Sequence, residues 1–167
     1  VPLLSYPPLT SIPPAPYQLK IAYHRPIPVV ATPAAPGRVV AVINVHYRAP
    51  IAAPIPGQKE NASVWRSVAG WAEGYAIAAW KRTAQALETR LVIDGLLETD
   101  AARFLIVAGD FNAEDHETPL KILIGAEEDT GNGRLAARTL VVLDRSIAED
   151  RRRRSREGGS GSHARRP

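Results

Sequence analysis

The stretch LIVAGDFNAED, Leu105–Asp115, carries an apolar run that stops at Gly109 and delivers Asp110 and Asn112 in quick succession. Its apolar part, Arg103 to Ala108, is too short for an independent helix and reads as a central, buried strand. Working backward, RVVAVINVH at Arg38–His46 is dense in β-branched residues and reads as a second strand. Between them Ile77, Trp80, Ala84, Leu87 and Leu91 recur at spacings of three and four, while Lys81, Gln85 and Glu88 fall on other faces. That pattern predicts one long amphipathic helix from near Ala62 to Leu97, with Gly70 and Gly74 as the places for a bend. Trp65, Trp71 and Trp80 do not share a helix face and are read as packing residues. Strand, helix, strand in this order is an α/β unit, and the helix is the crossover that parallel strands require.

The flanks are simpler. Residues 1–18 are Pro-rich and read as an extended segment. From Leu19 to Val30 apolar and polar residues roughly alternate, and Pro26 and Pro28 confine that strand to a sheet edge or a bulge. Thr32 to Gly37, TPAAPG, reads as the turn of a hairpin with the Arg38 strand. A Pro-rich loop, Ala49 to Gly57, follows His46. Beyond Asp115 the pattern gives a short helix at Thr118 to Ile124, a Gly/Asp/Asn loop, and a last helix from Ala136 to Ala148. Residues 19–150 therefore read as one α/β domain, and residues 151–167, RRRRSREGGSGSHARRP, as a disordered tail.

Composition narrows the chemistry. With no cysteine, disulfides, Cys-ligated zinc and thiol nucleophiles are excluded. No stretch approaches the roughly 18 uninterrupted apolar residues of a membrane-spanning helix. The formal charge of +4 is misleading about the domain, because seven of the 21 basic residues lie in the last 17 positions. Residues 1–150 carry 14 basic and 16 acidic side chains, so the body has no excess of positive charge for tracking a nucleic-acid backbone. Localisation and oligomeric state stay open.

If the two strands lie parallel, His46 ends one while Asp110 and Asn112 follow the other. An imidazole, a carboxylate and an amide at one sheet edge suit phosphodiester hydrolysis. The carboxylate can orient or deprotonate water, the amide can hold a phosphate oxygen without adding negative charge, and the imidazole can donate a proton or hydrogen bond to the phosphoryl group. Each has a plainer reading beside it: Gly-Asp after a strand is often a turn closed by an Asx hydrogen bond, and a His at a strand end is often structural. Arg48 can pair with substrate phosphate or cap a surface loop. Asp110 and Asn112 offer only two oxygen donors, so water, substrate or other residues must complete the shell of a Mg²⁺ ion.

VINVH followed by VAGDFNAED resembles the endonuclease/exonuclease/phosphatase superfamily, which includes deoxyribonuclease I, over roughly Ile21 to Ile124. The resemblance implies part of a four-layered α/β sandwich with mixed β-sheets and a long crossover helix. It also implies a phosphoesterase that uses Mg²⁺ or Mn²⁺ on a phosphate-ester substrate, nucleic acid among the options. By that resemblance Asp110 acts on the nucleophilic water, Asn112 contacts the phosphate or metal environment, and His46 stands where members carry a His or Tyr directed at the phosphate. Asp110 and Asn112 are the metal-site residues it implies, with Arg48 and Asn44 as substrate-binding residues.

The chain departs from that pattern at both ends. Members carry a metal-binding Glu on an early strand, whereas the first acidic residue here is Glu60. They also carry an Asp-His motif on a final strand, whereas the sequence after Ile147 is AEDRRRRSREGGSGSHARRP, whose His163 sits among charged and small residues. Together with the absence of Met, these departures give the expectation of a central fragment of a larger domain, cut or frame-shifted past about Asp150, with impaired activity. The alternative is a non-catalytic fragment whose basic tail binds nucleic acid or another acidic partner.

Overall fold

The computed structural model describes residues 26–99 and 104–146. The segment 1–18, most of the strand expected over 19–30, and the tail 151–167 lie outside them. The described residues divide into two compact units, one up to residue 125 and one from residue 126 onward.

The first unit is α/β. Strand β1 (Val29–Ala35) pairs antiparallel with β2 (Arg38–His46), and β2 pairs parallel with β3 (Phe104–Asp110). Helix α1 (Val68–Glu98) makes the crossover between the parallel strands, and α2 (Thr118–Ile124) follows β3. The hairpin is tighter than the sequence suggests. Thr32–Ala35 continues β1, and only Pro36 and Gly37 turn. A prolyl residue survives at Pro33 because β1 is an exposed edge strand with a register irregularity between Pro33 and Ala35. Ahead of β1, the Pro28 carbonyl accepts from the Asn44 N–H at 3.1 Å.

Among the described residues the central strand of this sheet is β2, and β3 is an edge. That corrects the reading of Arg103–Ala108 as central and buried. Its apolar residues alternate, and Phe104 and Ile106 remain 51% and 44% exposed. They stand beside Val40 and Val42 in register, with Val30 of β1 next to Val42, so one sheet face is apolar and largely uncovered among the described residues. On the opposite face Ala41, Ile43 and Val45 are buried, as is Tyr47 just past the strand.

Helix α1 starts at Val68 rather than Ala62, for a local reason. The Asn61 Oδ1 accepts from the N–H groups of Ser63 and Val64 and holds that segment in a turn. Ser67 then caps the helix by accepting from the Gly70 N–H at 3.0 Å. The buried face also differs from the apolar stripe read from sequence. Ile77 and Ala84 are buried, but Trp80, Leu87 and Leu91 are exposed, while Arg82, Gln85, Glu88 and Thr89 are buried. Trp65 packs against Ala53, Ile55 and Ile77, whereas Trp71 is exposed and lies tilted against Tyr75. Apolar periodicity names a face that can be buried, but polar contacts to the loop after β2 set the helix rotation here.

Gly74 lets the Pro-rich loop dock on α1. Its carbonyl accepts from the Ala53 N–H at 2.8 Å, and a side chain there would overlap the Ala53 carbonyl oxygen. At the other end Arg90 pairs with Asp94 and donates to the Leu123 carbonyl, tying α1 to α2, whose Leu120, Leu123 and Ile124 are buried. The second unit holds a short helix α3 (Glu127–Thr130) and two 3₁₀ turns, Gly133–Arg138 and Leu143–Ser146. These replace the single helix expected over 136–148; Thr139, Val141 and Val142 between the turns are β-branched and favour extended backbone.

Two glycines of α1 respond oppositely to alanine. Gly74→Ala forces backbone against backbone and destabilises the chain by about 1–3 kcal/mol. Gly95→Ala meets open space and stabilises by about 0.5–1 kcal/mol through helix propensity. Urea unfolding midpoints check both.

Candidate functional site

The register of β2 and β3 decides which side chains meet. Val45 pairs with Gly109 and His46 with Asp110, so the parallel strands end level. Alternation sends Val45 and Tyr47 to the helix side of the sheet. Asn44 and His46 project from the other side, where Ala108 and Asp110 stand beside them in register. His46 Nε2 lies 3.8 Å from Asp110 Oδ2, with the two side chains 44% and 61% exposed. That spacing exceeds a direct hydrogen bond and suits a pair bridged by water or by an oxygen of a ligand.

Gly109 makes the approach possible. Its φ of +132° lies outside the range of ordinary side-chain-bearing residues, and any Cβ would overlap the Val45 carbonyl oxygen and come within 2.9 Å of Asn44 Oδ1. The backbone then turns at Asn112, which has a positive φ of 48°. The Asp110 Oδ1 accepts from the Asn112 N–H at 3.0 Å, so the Asx turn of the plainer reading is present. It uses Oδ1 and leaves Oδ2 facing His46.

Asn112 is fixed from a second direction. Its Nδ2 donates to the Tyr47 carbonyl at 3.0 Å, and the Tyr47 N–H donates to the Asp110 carbonyl at 2.9 Å. The Phe111 ring stands edge-on to Tyr47, with centroids 5.7 Å apart. The strand ends are thus laced together, and the Asn112 side chain is held there through its amide nitrogen. His46, Asp110 and Asn112 are brought together, with Asn44 on the same sheet face.

Arg48 is placed differently. Its N–H donates to Gln85 Oε1 of α1 at 2.7 Å. It also lies near enough to Lys81 to lower that amine's pKa, although burial is the larger cause. Arg48 therefore belongs to the helix side of the β2 terminus. No group of three or more His, Cys, Asp or Glu side chains is gathered for a metal among the described residues. Asp110 and Asn112 supply two oxygens at most, a set compatible only with an ion that keeps water or takes substrate oxygens.

Sequence reasoning passed over Tyr47, Gln85 and Thr89, which hold the site from behind. Alternation past His46 was the available signal for Tyr47. Its hydroxyl is buried beside Thr89, and burial pushes its pKa up to about 12, against a smaller opposing effect of Thr89. Because the folded pKa is raised, the unfolded chain ionises first as pH rises. Stability contributed by neutral Tyr47 is complete below pH 10 and is lost between pH 10 and 12, at up to about 1.4 kcal/mol per pH unit. Tyr47→Phe removes this loss, and denaturant titrations of both chains across that pH range check it.

No family model, curated protein or solved structure matches the chain.

Proposed function

We propose that the chain carries the core of a divalent-cation-dependent phosphoesterase site, of the kind its sequence resembles, with His46, Asp110 and Asn112 as the reacting set. The observation that supports this reading best is the matched ending of two parallel strands, which sets His46 Nε2 and Asp110 Oδ2 3.8 Å apart at an open sheet edge. In this reading Asp110 orients and deprotonates the attacking water through Oδ2. His46 donates a hydrogen bond to a phosphoryl oxygen and stabilises the charge that accumulates there. In the same reading Asn112, held by the Tyr47 carbonyl, offers its side-chain oxygen to the cation, and Asn44 contacts the substrate.

The cation proposed is Mg²⁺ or Mn²⁺, bound by Asp110 and Asn112, and it would supply charge neutralisation at the phosphate. Two protein oxygens make a weak site, so activity in this chain is low compared with a complete phosphoesterase. The four-layered sandwich belongs to the same proposal. The uncovered face of Val30, Val40, Val42, Phe104 and Ile106 is where a second sheet would pack, bringing further groups toward His46 and Asp110.

Hydrolysis of bis(p-nitrophenyl) phosphate tests the proposal. The expected outcome is release that needs Mg²⁺ or Mn²⁺, stops with chelator and falls about 100-fold or more in Asp110→Ala. Release that is absent in the wild type, or equal in Asp110→Ala, overturns it. If the chain instead binds nucleic acid without cleaving it, affinity should fall steeply with salt and ignore the cation.

A further inference from the structure

Three basic residues, Arg48, Lys81 and Arg82, come from the loop after β2 and from the turn of α1 on which that loop rests. The geometry follows from one hydrogen bond: the Arg48 N–H to Gln85 Oε1 at 2.7 Å pins the loop to α1. Helical side chains lean toward the N-terminus, so Gln85 holds Arg48 over the preceding turn, which carries Lys81 and Arg82. Arg82 is only 6% exposed, and its Nε and Nη1 are buried with no hydrogen-bond partner. Arg48 Nε is likewise buried without a partner. No salt bridge among the described residues joins any of the three to a carboxylate. The nearest acid along α1 is Glu88, about 10.5 Å from Lys81 and about 9 Å from Arg82 along the helix axis.

A buried guanidinium left unpaired is costly, and further cations on the same turn and on the loop docked there add repulsion. The arrangement is relieved by an oxyanion that accepts from several N–H groups at once and neutralises the cluster. We propose that Arg48, Lys81 and Arg82 form a binding site for a phosphate-type oxyanion, with Arg82 as its floor and half-buried Arg48 and Lys81 as its sides. Its argument does not rest on the phosphoesterase reading, because it lies on the helix side of β2 and His46 and Asp110 project from the other.

Thermal unfolding of the chain in inorganic phosphate, against sodium chloride at equal ionic strength and without divalent cation, tests the site. Phosphate raises Tm of the wild type by on the order of 3 °C more than it raises that of Arg82→Met. Any general salting effect of phosphate is common to both and cancels in the comparison. In chloride alone Arg82→Met is at least as stable as the wild type, since it removes an unpaired buried charge. Lys81→Met, at a half-buried position, loses part of the phosphate response and serves if Arg82→Met does not fold. Asp110→Ala keeps the full response, which separates this site from the phosphoester site. An equal phosphate response in the wild type and in whichever of Arg82→Met and Lys81→Met folds overturns the proposal, as does loss of the response in Asp110→Ala.

Discussion

The parallel pairing of β2 with β3 is the constraint on which the rest of the first unit depends. A parallel pair cannot close through a short turn, so the chain must spend the residues between His46 and Phe104 on a crossover, and α1 is that crossover. In-register pairing from Val40↔Phe104 to His46↔Asp110 makes both strands end at one level. Gly109 is what allows the last two pairs to form, since only a residue without Cβ fits against the Val45 carbonyl at φ +132°. A slip of one residue would turn Asp110 toward the buried side and leave a carboxylate against Tyr47.

The same strand ends are bound by polar contacts more than by apolar packing. Asp110 closes a turn on Asn112, Asn112 holds Tyr47, Tyr47 abuts Thr89, and Gln85 holds Arg48. This chain of contacts runs from β3 through the end of β2 to α1, and it rotates α1 so that Arg82, Gln85 and Thr89 face inward. Trp80, Leu87 and Leu91 are left exposed as a result. The hydrophobic contribution of those side chains is forgone within the described residues.

Much of the local structure was legible in the sequence. The β-branched run of Arg38–His46, the helix at Thr118–Ile124 and a long helix between two strands follow from composition and spacing alone. What was not legible depends on particular contacts. Asn61 and Ser67 delay the start of α1, and Pro33 lies within a strand because that strand is an edge. β3 reads as a central strand because its residues are apolar, yet burial depends on what packs against them, which composition does not encode. For the candidate site, the convergence of His46, Asp110 and Asn112 was readable once the strands were taken as parallel. The turn of Arg48 toward α1 was not, because it depends on a Gln85 contact 37 residues away.

The central claim is that His46 and Asp110 are neighbours across parallel strands. A chain without cysteine allows it to be tested by cross-linking against no background. The double variant His46→Cys with Asp110→Cys should oxidise to an intrachain disulfide under native conditions, because directly paired strand positions fall within disulfide reach. His46→Cys with Ala108→Cys, two positions out of register, should stay reduced. Failure of the first pair to cross-link, or equal cross-linking of both, would contradict the register and with it the site.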